Sequence, residues 1–131
     1  MGAVKLLLDT HAFYWWCLDD PALSPTARAA TADSGDETYV SAITAWEFIT
    51  KFRSGKEPGF AGIAADLSSA VAAQGFTELP VSMRHSEIAS NLPPLHKDPM
   101  DRFLIAQAIV EDMSIITIDR IFASYAARTL W

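Results

Sequence analysis

Four carboxylates of this chain stand where charge is unusual. Asp9 follows the apolar run Val4-Lys5-Leu6-Leu7-Leu8, and Asp119 follows Ser114-Ile115-Ile116-Thr117-Ile118. Asp101 falls in the first turn of an apolar stretch, and Glu47 lies between Trp46 and Phe48. Short apolar runs that end in sudden polarity suit strands buried on both faces, as in a parallel sheet. The carboxyl edge of such a sheet is where ligands bind, and strand ends and helix starts share that edge. Carboxylates crowded there repel one another and take up protons. A hard divalent cation such as Mg²⁺, bound through oxygen ligands, removes that penalty. Such an ion lowers the pKa of a bound water and holds a phosphodiester for in-line attack, while countering the charge that develops.

Each residue also has a plainer reading. Asp9 and Asp119 each suit the N-cap of the helix that follows. Asp98 and Asp101 suit helix-start acids that answer the macrodipole, and for Asp98 this is the preferred reading. Glu47 has Lys51 one turn on as an ion-pair partner. Only the joint pattern lifts the metal reading above these. Thr10 is read as a cap rather than as a hydroxyl supporting the acids, Thr117 as structural and Cys17 as core. His11, His85 and His96 are spread too widely to form a metal set. Arg102 and Arg120 directly follow acids, which they neutralise unless they clamp a phosphate. A Walker loop is absent, which argues against nucleoside triphosphate chemistry, and no Cys/His cluster points to zinc.

The elements that must position these residues alternate between strand and helix. Strands are predicted over 4–8, 38–40, 76–79 and 114–118, with a last edge strand at 129–131. A short apolar helix covers 13–18, with Thr10 as its cap and Asp19-Asp20-Pro21 as its end. Ser24-Pro25 opens a second helix that stops before Ser34-Gly35-Asp36. Ser41 opens a third, which runs to about Arg53 and is closed by Gly55. Pro58-Gly59 reads as a loop, 63–73 as one alanine-rich helix stopped by Gly75, and Ser82 as the cap of a helix to Ala89. Leu92-Pro93-Pro94-Leu95 forms a rigid loop. The helix from Arg102 to about Asp112 is apolar nearly all round and therefore buried. A short helix over 121–126 completes the set. The expected architecture is a three-layer α/β/α sandwich around a central, mostly parallel sheet.

At 131 residues the chain is expected to be a single domain, residues 1–131. Half its residues are hydrophobic, enough for a sizeable core. No apolar run has the length of a membrane span, and none reads as a signal peptide. One cysteine precludes an internal disulfide and fits a reducing cytoplasm. The net charge of −6 argues weakly against non-specific nucleic-acid binding, because a metal-filled acidic site inverts the local sign. Phe13, Tyr14, Trp15, Trp16, Trp46, Phe48 and Phe52 are more aromatic surface than so small a sheet hides. About half are expected to pack under the sheet, and the rest to form a partner or dimer face.

Leu-Leu-Leu-Asp9-Thr-His, Ser41-Ala-Ile-Thr-Ala-Trp-Glu47, Leu-His-Lys-Asp98-Pro-Met-Asp101-Arg-Phe-Leu-Ile-Ala-Gln-Ala and Ile-Ile-Thr-Ile-Asp119 resemble the four acidic motifs of the PIN domain. The variant is similar to the VapC-type toxins of bacterial toxin–antitoxin pairs, and the resemblance spans essentially the whole chain. The third motif is the most specific; the others are weak singly. The resemblance implies a Mg²⁺- or Mn²⁺-dependent endoribonuclease, a homodimer and a small cognate antitoxin, with DNA met only through the antitoxin. Carried over position by position, Asp9, Glu47, Asp101 and Asp119 form the acidic site, with Asp98 a further candidate ligand. Ile118 stands where many relatives carry something polar or small.

Three rivals remain. One is a catalytically silent module acting only in a promoter-binding toxin–antitoxin complex. Another is a phosphotransferase of the haloacid dehalogenase kind with Asp9 as nucleophile, disfavoured because His11 replaces the second aspartate. The last is a receiver-like domain, disfavoured because no lysine follows a late strand.

Overall fold

The computed structural model describes residues 4–33, 37–53 and 58–131. Among them five strands, β1 (Lys5–Leu8), β2 (Glu37–Ser41), β3 (Thr77–Leu79), β4 (Ser114–Ile116) and β5 (Arg128–Leu130), form one sheet in the order β3-β2-β1-β4-β5. All four pairings are parallel, so the sheet is wholly rather than mostly parallel. From β1 the chain builds outward through β2 to β3, then crosses to β4 on the other side. The strand order therefore reverses beside β1, and a crevice opens there at the carboxyl ends of β1 and β4.

Seven helices among the described residues flank the sheet: α1 (Thr10–Leu18), α2 (Pro25–Ala32), α3 (Ala42–Phe52), α4 (Pro58–Ala65), α5 (Leu67–Ala73), α6 (Met83–Asn91) and α7 (Pro99–Glu111). A 3-10 turn spans Arg120–Ser124. The pleat of β1 divides them into layers, since successive side chains leave a strand on opposite faces. Leu6 and Leu8 pack with Phe13, Tyr14, Phe48, Phe52 and Phe60. Leu7 packs on the other side with Leu104, Ile105, Ile115 and Phe122. This is the expected α/β/α sandwich. The first layer is held largely by ring contacts, among them Phe52–Phe60 at 4.3 Å and Phe48–Phe52 at 4.8 Å between centroids.

Local chemistry moves several boundaries. Asp9, not Thr10, is the N-cap of α1, its carboxylate accepting from the Ala12 N–H at 2.7 Å. Pro58-Gly59 is not a loop, because Pro58 takes the first position of α4. Nor is 63–73 a single helix. Asp66 leaves helical geometry (φ −147°, ψ 74°) and accepts from the Ser69 N–H and hydroxyl, capping α5 afresh. Gly75 ends that segment at φ +79°, a backbone region glycine enters without penalty. The last helix is a 3-10 turn capped by Asp119. The stop at Gly55 and the turn at Ser34-Gly35-Asp36 lie outside the described residues.

Of the seven aromatic residues singled out, Phe13, Tyr14, Phe48 and Phe52 are buried, Trp15 and Trp16 half-buried, and Trp46 exposed. No helix among the described residues is long and apolar enough to cross a membrane.

Candidate active site

Three chain segments deliver carboxylates to the crevice, and a fourth adds one from its flank. Asp9 leaves the end of β1, and its backbone N–H still pairs with the Ile116 carbonyl of β4 at 3.1 Å. Asp119 lies just past β4, its N–H donating to the Thr117 hydroxyl at 3.0 Å. Asp98 caps α7 by accepting from the Met100 N–H at 2.9 Å, and Asp101 follows in the first turn. Glu47 comes from the middle of α3 and accepts from the Thr10 hydroxyl at 2.9 Å. That hydroxyl also lies 3.2 Å from the Thr44 hydroxyl. Thr10 is therefore a support for an acid, not a helix cap.

The carboxylates sense one another. Burial raises the pKa of Asp9; hydrogen bonds from the Thr117 hydroxyl and the Ala12 N–H oppose the rise, and Asp119 adds to it. Burial likewise raises Glu47, with Asp98 adding repulsion and the Thr10 hydroxyl opposing it. Asp101 is pushed up to about 7, first by burial and then by Asp98, with smaller pushes from Asp9 and Glu47 and a counter-pull from His96. The five acids named from the sequence thus share one field. Thr117 is more than structural, since it braces both Asp9 and Asp119.

His96 stands among the acids rather than with the other histidines. Its Nε2 lies 3.0 Å from Asp101 Oδ2 and 3.2 Å from Asp119 Oδ2. Its Nδ1 accepts from the Asp98 N–H at 3.2 Å, so in the neutral ring the hydrogen sits on Nε2 and is shared between the two carboxylates. One ligand atom each from His96, Asp101 and Asp119 falls within 4.8 Å of the others. Asp9 and Glu47 stand outside that tight set and act on it through charge. The signal is present in the third motif, where His96 precedes Asp98 by two residues. Spacing from the other histidines hides it, because its partners are carboxylates.

Arg102 neither clamps a phosphate nor neutralises Asp101. It donates to the carbonyls of Pro93 and Leu92 at 2.9 and 2.8 Å and of Ala89 at 2.9 Å. Tyr125 braces the same loop, accepting from the His96 N–H at 2.7 Å and donating to the Pro93 carbonyl at 2.8 Å. The ring of His96 meets Phe122 edge-on at 5.6 Å. His96 is thus placed by a strapped loop rather than by chance. His85, in contrast, serves the capping box of α6 and pairs with Glu111 at 3.0 Å. Lys51 does not offer the expected partner for Glu47. Its ammonium lies over the rings of Tyr14 and Phe52, 5.2 and 5.5 Å from their centroids.

Mutually repelling oxygen donors that resist ionisation fit a hard divalent cation, and the adjacent imidazole suits Mn²⁺ as well as Mg²⁺. A cavity of about 490 Å³ lies elsewhere, between α3, α4, α5 and the edge strand β3. It has apolar walls and none of the five acids, so the chemistry does not sit there.

The sequence matches the PIN domain family over residues 6–128. A comparison with curated proteins gives no significant match. Among solved structures, the fold is similar to that of VapBC2 from Rickettsia felis bound to a DNA fragment from their promoter, at TM-score 0.76 and 13% identity over 97% of this chain and 98% of that one. It is also similar to DNA-bound VapBC from Salmonella typhimurium, at 0.71 and 15% over 97% of each chain. FitAcB from Neisseria gonorrhoeae follows at 0.67 and 19% over 96% of each. At such identities the likeness is one of fold, while the family match covers nearly the whole sequence. The chain belongs to the PIN domain family.

Proposed function

We propose that this protein is a metal-dependent endoribonuclease and the toxin of a toxin–antitoxin pair. The observation that carries the reading is that His96, Asp101 and Asp119 each bring a ligand atom within 4.8 Å of the others, with Asp9, Glu47 and Asp98 acting on Asp101 through charge. Such an arrangement is costly for the protein alone and favourable around a cation.

Asp101 and Asp119 would hold Mg²⁺ or Mn²⁺ directly, and Asp9 and Glu47, with Asp98 at the rim, would complete the acidic site around the ion. The ion, when bound, supplies a more acidic water and a counter-charge for the phosphate. The rest falls to the chain. Thr10 and Thr117 orient Glu47 and Asp9, and His96 fixes the spacing of Asp101 and Asp119. RNA is the substrate class, and a small antitoxin the inhibitor. The VapBC and FitAcB likenesses support such a partner. Half-buried Trp15, Trp16 and Trp131 support an aromatic face for it or for a second copy in a homodimer. The cytoplasm is the compartment that fits this role.

Cleavage of RNA with Mg²⁺ or Mn²⁺ should be abolished in Asp9→Asn at matched folding. Equal products from both proteins would instead favour the second reading, a silent module that acts only in a promoter-binding complex. That reading draws its support from the DNA-bound state of two similar structures.

A further inference from the structure

Trp46 is 60% exposed, although the α3 residues Thr44, Phe48 and Phe52 are all buried. It borders an open pocket of about 310 Å³ between α1 and α3, together with His11, Tyr14, Glu47 and Lys51. Glu47 lines this pocket and senses the charge of Asp98, so the pocket adjoins the acidic site. Lys51 contributes a cation whose position over the Tyr14 ring is set by cation–π attraction. A bare indole face, a fixed ammonium and a shared acidic wall make a poor seat for an apolar helix. The indole and the ammonium suit a flat aromatic ring that carries an anionic group.

We propose that this pocket takes one unstacked nucleobase of single-stranded RNA, next to the phosphate held at the acidic site, with Trp46 as its stacking platform and Lys51 on a neighbouring phosphate. The choice of RNA rests on the ribonuclease reading above. Single strands are favoured because a base inside an A-form helix is already stacked and cannot present its face. An indole accepts every base, so the pocket selects strand state and local flexibility more than sequence.

The test measures binding separately from cleavage. In an Asp9→Asn background, the affinity of a fluorescein-labelled single-stranded RNA and of its duplex is read by anisotropy, with and without Trp46→Ala or Trp46→Phe. Circular dichroism checks the fold of each variant. Loss of one base–aromatic stack should weaken single-strand binding by about tenfold in Trp46→Ala, while Trp46→Phe, which keeps an aromatic face, stays within about threefold. Duplex binding should not change. Two results would overturn the proposal: unchanged single-strand affinity in Trp46→Ala, or an equal loss on duplex. Wild-type protein that leaves the RNA intact with Mn²⁺, yet binds it in a Trp46-dependent way, would refute cleavage and still support the pocket.

Discussion

Replacing Asp101 by asparagine should stabilise the metal-free protein above neutral pH. The carboxyl titrates at about 7 in the fold, against ~4 in an unfolded chain. The folded state therefore binds more protons than the unfolded state between those values. Stability must fall as pH climbs from about 4 to about 7 and level off beyond. Full conversion of the shift would be ~4 kcal/mol; discounting by half for solvent screening of a partly exposed group leaves ~2 kcal/mol. In a domain of this size each kcal/mol moves the midpoint by about 3–4 °C. The amide oxygen introduced by Asp101→Asn can still accept from His96 Nε2, so the geometry around the ring survives. Thermal melts in chelator should place Asp101→Asn about 6 °C above wild type at pH 8, with the gap closing as the pH falls toward about 4. A variant no more stable than wild type at pH 8, or a gap that does not vary with pH, would refute the claim that ionised Asp101 is held against burial and the repulsion of its neighbours.

Two other outcomes test the same field. Millimolar Mg²⁺ or Mn²⁺ should raise the melting temperature of wild type, since the assembled site exists only in the folded state, and the rise should shrink in Asp119→Asn; scans that overlay with and without ion would argue against a cation site. Tyr125→Phe removes the acceptor for the His96 N–H and the donor to the Pro93 carbonyl, which should cost about 1–2 kcal/mol in denaturant melts and weaken Mn²⁺ binding measured by calorimetry.

The layered sandwich was legible because burial on both faces of β1 leaves an unbroken apolar run, and the polar residue after it marks the strand end. The acids at β1, β4 and α7 were legible for the same reason. What escaped was decided by contacts across the chain. Thr10 and Asp9 both suit a cap, and the backbone gives that role to Asp9, freeing the threonine hydroxyl for Glu47 from a distant helix. Asp66 interrupts an alanine-rich stretch whose propensity alone reads as continuous helix. Arg102 looks like a partner for Asp101 until the carbonyls left open at the end of α6 claim it. His96 gains its meaning only when Asp119, from another motif, arrives beside it.

The parallel pairing of β1 with β4 has a consequence for the order of events at the ribosome. Leu8 must wait for Ile116 before the two lie side by side. Contacts so distant along the chain form slowly, and, among the described residues, all seven α-helices and the strands β2 and β3 are translated in the interval. The nascent protein therefore carries Asp9 through all that synthesis without the neighbours it needs. Whatever reaction the finished crevice performs is withheld until β4 has emerged and docked.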